Sequence, residues 1–127
     1  MPELPLITVV DDDEAIREAI HSLLRSVGFR AEMFASAEDF WSAGHRQNAA
    51  CLIVDVRMPR MSGLELQRQL ATAHCPMPIV FITAHGDEET RTRALRAGAV
   101  DFLDKPFSDE VLLRAVHAAL QASRGKM

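Results

Sequence analysis

Short apolar runs alternate with stretches of helical periodicity five times along this chain, and this alternation constrains the fold more than any other feature. Three runs, Leu6 to Val10, Cys51 to Val54 and Ile79 to Ile82, are continuous and rich in β-branched residues. Such runs are typical of strands that helices cover on both faces of a sheet. A more polar run, Arg30 to Phe34, predicts an edge strand, and Val100 to Leu103 predicts a short fifth strand.

The segments between these strands carry helix signals. From Ile16 to Val27 apolar residues recur in steps of three and one, and Gly28 follows where a glycine commonly ends a helix. Ser36 and Ser62 precede an acidic residue by three positions, which is the spacing of a helix-capping pair. The predicted later helices run from Ser62 to about Ala73, from Asp87 to Ala97 before Gly98, and onward from Ser108.

This order of elements predicts an α/β fold of the (βα)5 kind. Alternating strands and helices with short connections favour a doubly wound, parallel five-stranded sheet with right-handed crossovers. The chain has 127 residues, which fits a single domain over residues 1–127. We expect its core at about residues 5–121 and a loose C-terminal tail over residues 122–127.

Composition excludes several classes of protein. The 14 basic and 18 acidic residues give a net charge of -4, which argues against direct binding of nucleic acid by this chain. Cys51 and Cys75 form no spaced pair, as expected for free thiols in a reducing compartment. The first residues lack the features of a signal peptide, and the longest apolar run, Ala49 to Val54, is too short to span a membrane. We therefore expect a cytoplasmic protein without membrane contact.

Polar residues follow the predicted strands at the points where ligands bind in doubly wound sheets. Three aspartates, Asp11, Asp12 and Asp13, follow the first strand, and Asp55 follows the third. Thr83 follows the fourth strand, and a lysine, at position 105, lies just beyond the fifth. Because parallel strands share one carboxyl edge, the fold gathers carboxylates, a hydroxyl and an ammonium in one crevice.

This set of groups suits the transfer of a phosphoryl group to a carboxylate. Crowded carboxylates repel one another, and a hard divalent ion with oxygen ligands relieves that repulsion. Lys105 adds a second positive charge, and Thr83 can donate a hydrogen bond to an anionic oxygen. An aspartate of this set would act as the nucleophile. Asp55 directly follows an apolar run, where an unpaired charge is costly, so a role as a helix cap does not account for it. Asp13 and Glu14 are instead interpreted as caps of the first helix.

Four motifs in register make this chain resemble a known family. They are VVDDDE (Val9 to Glu14), IVDVRMPRMSGLEL (Ile53 to Leu66), ITAHGD (Ile82 to Asp87) and AGAVDFLDKPF (Ala97 to Phe107). Together they resemble the response-regulator receiver family of two-component signalling, and the last two are most similar to its FixJ-like subfamily. The resemblance spans nearly the whole chain and implies a flavodoxin-like fold with strand order 2-1-3-4-5.

The resemblance also implies roles for the acidic residues. Asp55 is expected to accept a phosphoryl group from a phosphohistidine on a sensor histidine kinase or a phosphotransfer protein. Mg²⁺, or Mn²⁺ in its place, is expected at Asp12, Asp55 and the backbone carbonyl of Arg57. Asp11 is expected to hold the metal ion mainly through water. The protein is then a phosphoprotein that switches conformation, and it is not a conventional enzyme.

Further roles follow from the same resemblance. Thr83 is expected to move toward the phosphoryl group, and Phe102 to turn inward as it does so. Lys105 is expected to pair with the acceptor carboxylate and to form a cis peptide bond with Pro106. The face made by the last two helices and the fifth strand then changes shape and signals to a partner.

Two bulky residues near the acceptor carry a hypothesis about timing. Arg57 lies two positions after the acceptor, and His85 lies two positions after the threonine. In the family, these positions flank the path of the hydrolytic water. We expect both side chains to influence the lifetime of the phosphoryl group.

Other functions are weighed against the switch. An aspartyl-phosphate phosphatase of the haloacid dehalogenase family needs a second acid where this chain has Arg57. A flavodoxin-like cofactor binder needs a phosphate loop where Asp11 to Asp13 would repel the phosphate. Two outputs stay open: a stand-alone receiver that acts on a protein partner, and a receiver fragment of a FixJ-like transcription factor whose C-terminal DNA-binding domain is missing here. A phosphorylation-dependent homodimer also stays open.

Overall fold

Five strands and five helices alternate along the chain in a computed structural model that describes residues 4–44 and 48–125. Residues 1–3, 45–47 and 126–127 lie outside the described residues, and with them the last two residues of the expected C-terminal tail. The strands are β1 (Leu6–Val10), β2 (Arg30–Phe34), β3 (Cys51–Asp55), β4 (Ile79–Thr83) and β5 (Asp101–Asp104). The helices are α1 (Glu14–Ser26), α2 (Ala37–Ser42), α3 (Gly63–Thr72), α4 (Glu88–Arg96) and α5 (Asp109–Gly125).

All five strands lie parallel in one sheet with the order β2-β1-β3-β4-β5. The predicted fold class and strand order are therefore confirmed. Val10 of β1 is in register with Val54 of β3, and Thr83 of β4 is in register with Asp104 of β5. This register brings the carboxyl ends of β1, β3, β4 and β5 to one edge of the sheet.

Each face of the sheet has its own apolar core, which explains why the central strands are continuously hydrophobic. Successive side chains of a strand point to opposite faces. Ile53 and Ile82 pack in the first cluster, with Leu24 of α1 and Leu112 of α5. The second cluster contains side chains of β3, β4, α2 and α3, namely Leu52, Val54, Phe81, Phe40, Leu66 and Leu70.

The helix starts follow the predicted capping signals. Asp13 is the N-cap of α1 and accepts hydrogen bonds from two backbone amides, so its structural role is confirmed. Glu14 is the first residue of that helix, near the positive end of the helix dipole. Ser62 and Glu65 form a complete capping box at the start of α3. Gly28, after α1, adopts a φ of 96°, a conformation that disfavours residues with a Cβ atom.

Four boundaries differ from the sequence prediction. Strands β3 and β4 each extend by one residue, so Asp55 and Thr83 are the last residues of their strands. The prediction that β5 begins at Val100 was one residue early, because β5 begins at Asp101, whose carboxylate accepts a hydrogen bond from the Phe102 amide. Helix α5 continues to Gly125, beyond the expected end of the core at residue 121.

Candidate functional site

Two buried aspartates stand at the carboxyl edge of the sheet. Asp55 ends β3, and Asp11 directly follows β1, the neighbouring strand. Asp11 is 0% exposed and Asp55 is 6% exposed. The ladder between β1 and β3 holds the two carboxyl groups side by side, where each charge needs a compensating partner.

The ammonium group of Lys105 supplies that partner for both acids. Its Nζ atom donates to Asp11 Oδ2 at 2.9 Å and to Asp55 Oδ2 at 3.1 Å. Lys105 follows β5. Its backbone amide donates to the Thr83 carbonyl at 2.7 Å, and this bond holds the backbone of Lys105 against the end of β4. The Lys105–Pro106 peptide bond is cis, as the resemblance implied.

Backbone amides hold the other oxygen of each acid. Asp11 Oδ1 accepts from the Asp13 amide at 2.9 Å, and Asp55 Oδ1 accepts from the Arg57 amide at 3.0 Å. Both carboxylates are thus held at their two oxygens, which restricts their orientation before any ligand binds.

Burial and neighbouring groups shift the pKa values of Asp11 and Lys105. Burial raises the pKa of Asp11, and the nearby Asp55 charge adds to the rise, although hydrogen bonds from Asp13 and Lys105 oppose it. Burial alone would lower the pKa of Lys105, but its hydrogen bonds to Asp11 and Asp55 outweigh burial and the pKa is raised. Lys105 therefore stays charged. A further cation near Asp11 would reduce the free-energy cost of keeping two buried carboxylates ionised.

The acidic residues are suited to a hard divalent ion. Asp11, Asp12 and Asp55 each offer a carboxylate oxygen, and these three atoms lie within 4.8 Å of one another. Asp12 is exposed, so the group opens to solvent on one side. Oxygen ligands with an open, water-accessible side fit Mg²⁺, which keeps several of its waters. The metal-ligand role of the Arg57 carbonyl remains a prediction.

Two further predicted site residues are buried on β4 and β5: Thr83 ends β4, and Phe102 lies on β5 in register with Phe81. Thr83 is 1% exposed, and its Oγ1 accepts a hydrogen bond from the His85 amide at 3.3 Å. Phe102 is 3% exposed, and its ring centroid lies 6.3 Å from that of Phe81. The structure thus holds the predicted switch aromatic in the inward orientation. Movement of Thr83 and Phe102 remains a prediction.

Arg57 and His85 both have exposed side chains. The Arg57 guanidinium lies 4.0 Å from the carboxylate of Asp87, the N-cap of α4. Arg57 therefore links the loop after β3 to the start of α4. The influence of Arg57 and His85 on phosphoryl lifetime remains a prediction.

Sequence reasoning missed three residues that support this site. The Arg17 guanidinium donates to the Asp11 carbonyl at 2.6 Å, and Glu38 on α2 accepts from the Met61 amide in the loop after β3 at 3.1 Å. Arg91 on α4 donates to the Phe102 carbonyl at 3.2 Å. Each contact joins residues from different elements, and no spacing in the sequence signals such a pair.

Comparison with known proteins gives the site a family context. The family described as the response regulator receiver domain matches residues 7–117. The response regulator protein TodT of Pseudomonas putida is 50% identical over 116 residues, which cover 91% of this chain and 51% of TodT. The transcriptional regulatory protein FixJ of Azorhizobium caulinodans is 42% identical over 123 residues, covering 97% of this chain and 58% of FixJ.

A solved structure agrees with these relatives. The response regulator StyR superposes with a TM-score of 0.90 at 46% identity, covering 98% of this chain and 63% of StyR. The chain spans about half the length of the curated relatives it matches. The predicted resemblance, including its FixJ-like character, is confirmed. By its matched residues, its fold and its relatives, the chain belongs to the response regulator receiver domain family.

Proposed function

We propose that this domain accepts a phosphoryl group on Asp55 in a reaction that depends on Mg²⁺ or Mn²⁺, and that the modification switches its conformation. The observation that carries the proposal is the Lys105 ammonium placed between Asp11 and Asp55, at 2.9 and 3.1 Å. A cation in this position can stabilise the negative charge on the Asp55 carboxylate before the transfer and on a phosphoryl oxygen after it. The receiver family of the chain supports the same function.

The reaction is a transfer from a phosphohistidine to a carboxylate. An oxygen of Asp55 attacks the phosphorus atom and forms a P–O bond as the P–N bond breaks. The leaving imidazole takes the electron pair of the broken bond and returns to its neutral form with a proton from water. The product is an acyl phosphate on Asp55, and the hydrogen bond from the Arg57 amide orients the acceptor during attack.

Charge stabilisation is divided between protein and metal. When bound, a divalent cation would neutralise charge on the transferring oxygens, and Asp11, Asp12 and Asp55 would hold it, with the Arg57 carbonyl. Lys105 stabilises a phosphoryl oxygen from the β5 side. Thr83 donates a hydrogen bond from its hydroxyl group to another phosphoryl oxygen, while Oγ1 can still accept from the His85 amide.

The switch then acts on a partner. Phosphorylation adds about -1.5 to -2 charges at the carboxyl edge of the sheet, which is enough to shift an equilibrium between two conformations. The phosphoryl donor is a sensor histidine kinase or a phosphotransfer protein. The output is a protein partner, a C-terminal DNA-binding domain of a FixJ-like regulator, or a phosphorylation-dependent homodimer, and in each case we place the domain in the cytoplasm.

The domain works as a signalling switch rather than as a phosphatase. Arg57 stands two residues after Asp55, where a haloacid dehalogenase site has its second acid. The Arg57 side chain is a cation and pairs with Asp87, so it cannot act as that acid. Self-catalysed phosphorylation by small donors and slow hydrolysis of the acyl phosphate complete the cycle. Among the described residues, no helix is long and apolar enough to cross a membrane.

Intact-mass measurement with acetyl phosphate and Mg²⁺ tests the proposal. The native domain should gain one phosphoryl mass, Asp55→Asn should gain none, and a chelator should abolish the gain. Asp13→Asn is the matched control, because asparagine retains the helix cap and Asp13 lies outside the predicted metal ligands. Equal labelling of the native domain and Asp55→Asn would contradict the assignment of the acceptor.

The lifetime hypothesis needs a separate measurement. Arg57→Ala and His85→Ala should change the rate at which the phosphorylated domain loses its phosphoryl mass, because both residues are exposed and stand at the positions that flank the path of the hydrolytic water in the family. Unchanged rates in both variants would remove Arg57 and His85 from the proposal while leaving Asp55 as the acceptor.

A further inference from the structure

Arg91 on α4 makes two contacts with the residue that carries the inward aromatic side chain. Its Nη1 atom donates to the Phe102 carbonyl at 3.2 Å, and the central carbon of its guanidinium lies over the Phe102 ring, 6.0 Å from the centroid. Glu88, one turn earlier, has a carboxylate oxygen 4.0 Å from Arg91 Nε. The guanidinium is therefore oriented from one side by its own helix and from the other by β5.

Gly86 closes another side of the space that the Phe102 ring occupies. A Cβ atom at position 86 would lie 2.8 Å from Phe102 Cε1 and 2.9 Å from Thr83 Cγ2. The ring is thus enclosed by Phe81, the backbone of Gly86 and the guanidinium of Arg91. Of these three groups, only the guanidinium of Arg91 is charged, and it is supplied by helix α4.

We propose that Arg91 is a positioning residue that holds Phe102 in its inward orientation and so couples helix α4 to the phosphoryl-accepting site. The inference rests on the proposed function, since the inward ring packs near Phe81 and shares with Thr83 the space beside Gly86. A guanidinium is attracted to the face of an aromatic ring, and the hydrogen bond to the carbonyl keeps that guanidinium from swinging into solvent.

The coupling follows from linkage between two equilibria. A group that stabilises the inward ring raises the fraction of molecules already in that conformation. If phosphorylation favours the inward ring, the inward ring favours binding at the acceptor by the same factor. Arg91 therefore sets how readily the unphosphorylated domain accepts a phosphoryl mimic, although it lies on α4 and its contacts are to Phe102 and Glu88.

The orientation of the ring can be measured without metal or phosphoryl donor. The chain has six phenylalanines, so 4-fluorophenylalanine labelling gives six ¹⁹F signals, and Phe102→Leu identifies the one from Phe102. Arg91→Met keeps the length of the side chain and removes its charge. The Phe102 signal should then acquire a solvent isotope shift as the ring becomes exposed, whereas Arg93→Met, an exposed position on the same helix, should leave it unchanged.

A titration with beryllofluoride and Mg²⁺ then measures the coupling. Arg91→Met should raise the concentration for half-saturation by about fivefold, the size expected for one cation–π contact and one hydrogen bond. In the Phe102→Leu background, Arg91→Met should cause no further change. A merely structural role of Arg91 would weaken binding equally in both backgrounds, and that result would overturn the proposal.

The two parts of the experiment separate this inference from the proposed function. Failure of the native domain to bind beryllofluoride would count against the acceptor site, while the ¹⁹F signal of Arg91→Met would still decide the position of the ring. An unchanged Phe102 signal in Arg91→Met would overturn the role of Arg91 whatever the titration gives. Gly86→Ala provides a second test, because its methyl group should displace the ring from the opposite side and produce a similar isotope shift.

Discussion

Helices α3 and α4 both begin beside the acceptor site, but different forces hold them against the sheet. Helix α3 buries Leu66 and Leu70 in the core. Helix α4 buries a single residue, Ala94. The other contacts of α4 and its N-cap involve polar or charged groups. They are the Arg91 contacts with Phe102, the pair of Asp87 with Arg57, and a hydrogen bond from Gln67 Nε2 to the Ala94 carbonyl at 3.2 Å.

The difference indicates which helix a new charge can move. Burial of leucine side chains is lost only when a helix leaves the sheet, and that loss is large. Polar contacts can be exchanged for other polar contacts at little net cost, and phosphoryl oxygens offer new acceptors close to Arg57. We therefore expect α3 to act as a fixed support of Asp55 and α4 to be the element that responds to phosphorylation.

The largest expected effect comes from removing the apolar anchor of α3. Leu66→Ala should lower the free energy of unfolding by about 3 kcal/mol, because Leu66 is fully buried and its loss leaves a cavity. Leu95→Ala on α4, at a position 37% exposed, should change it by less than about 0.5 kcal/mol. Urea titration measures both, and equal costs would contradict the contrast between the helices.

A methyl group added at Gly63 should have the next largest effect. A Cβ atom there would lie 2.5 Å from the Asp55 carbonyl oxygen and 3.1 Å from Val56 Cα, which are backbone atoms that cannot rotate away. Gly63→Ala should therefore cost about 2 kcal/mol of unfolding free energy, although alanine is the better helix former. Gly86→Ala meets side chains, so it should cost less stability; the reverse order in thermal unfolding would be evidence against the rigid support.

Loss of the α3 cap should have a smaller effect. Ser62 accepts from the Glu65 amide, and the Glu65 side chain accepts from the Ser62 amide. Ser62→Ala should lower the free energy of unfolding by about 1 kcal/mol. It should leave the hydrogen exchange of α4 amides near the native rate, because α4 has its own cap. A uniform increase in exchange across α3 and α4 would show that the two helices move as one unit.

The smallest effect is expected from the charge of Asp87. The hydrogen bond from the Thr90 amide lowers the pKa of Asp87 from its ordinary 3.8. The charged form is therefore favoured in the folded state, and its contribution to stability is present above pH 3.8 and is lost as the pH falls through the lowered pKa.

Asp87→Asn isolates this charge, because asparagine can still cap α4. The native domain should be slightly more stable than the variant at neutral pH, and the two should converge in thermal unfolding as the pH falls below 3.8 and through the lowered pKa of Asp87. Glu89→Gln, an exposed change in the same turn, is the control. A difference between the native domain and Asp87→Asn that persists unchanged at low pH would exclude the charge as its cause.

Much of the fold and of the site was predictable from patterns local in the sequence. The strands follow from apolar runs, since a strand buried on both faces must be hydrophobic throughout. Asp55, Thr83 and Lys105 were identified because each stands where a run ends, and parallel strands bring those ends together. Asp13 was identified as a cap from its position before a helical stripe.

The remaining features depend on where helices settle against the sheet. Arg17 and Arg91 have no periodic or spaced partner, because their hydrogen bonds reach backbone carbonyls of Asp11 and Phe102. The start of β5 was misplaced because Val100 is apolar, yet the parallel ladder with β4 begins at Asp101. Side-chain contacts of this kind are decided by helix position and rotamer, which hydrophobic periodicity does not encode.

The position of Lys105 in the chain also sets an order of events during synthesis. The ammonium that joins the two acids comes 50 residues after Asp55 and 94 residues after Asp11. On the ribosome, β1 and β3 emerge first, and two carboxylates cannot be buried together without a cation. The acidic edge must stay hydrated until β5 docks. The site is therefore assembled late in folding, when β5 and Lys105 join the sheet, and a chain that stops before β5 lacks this ammonium group.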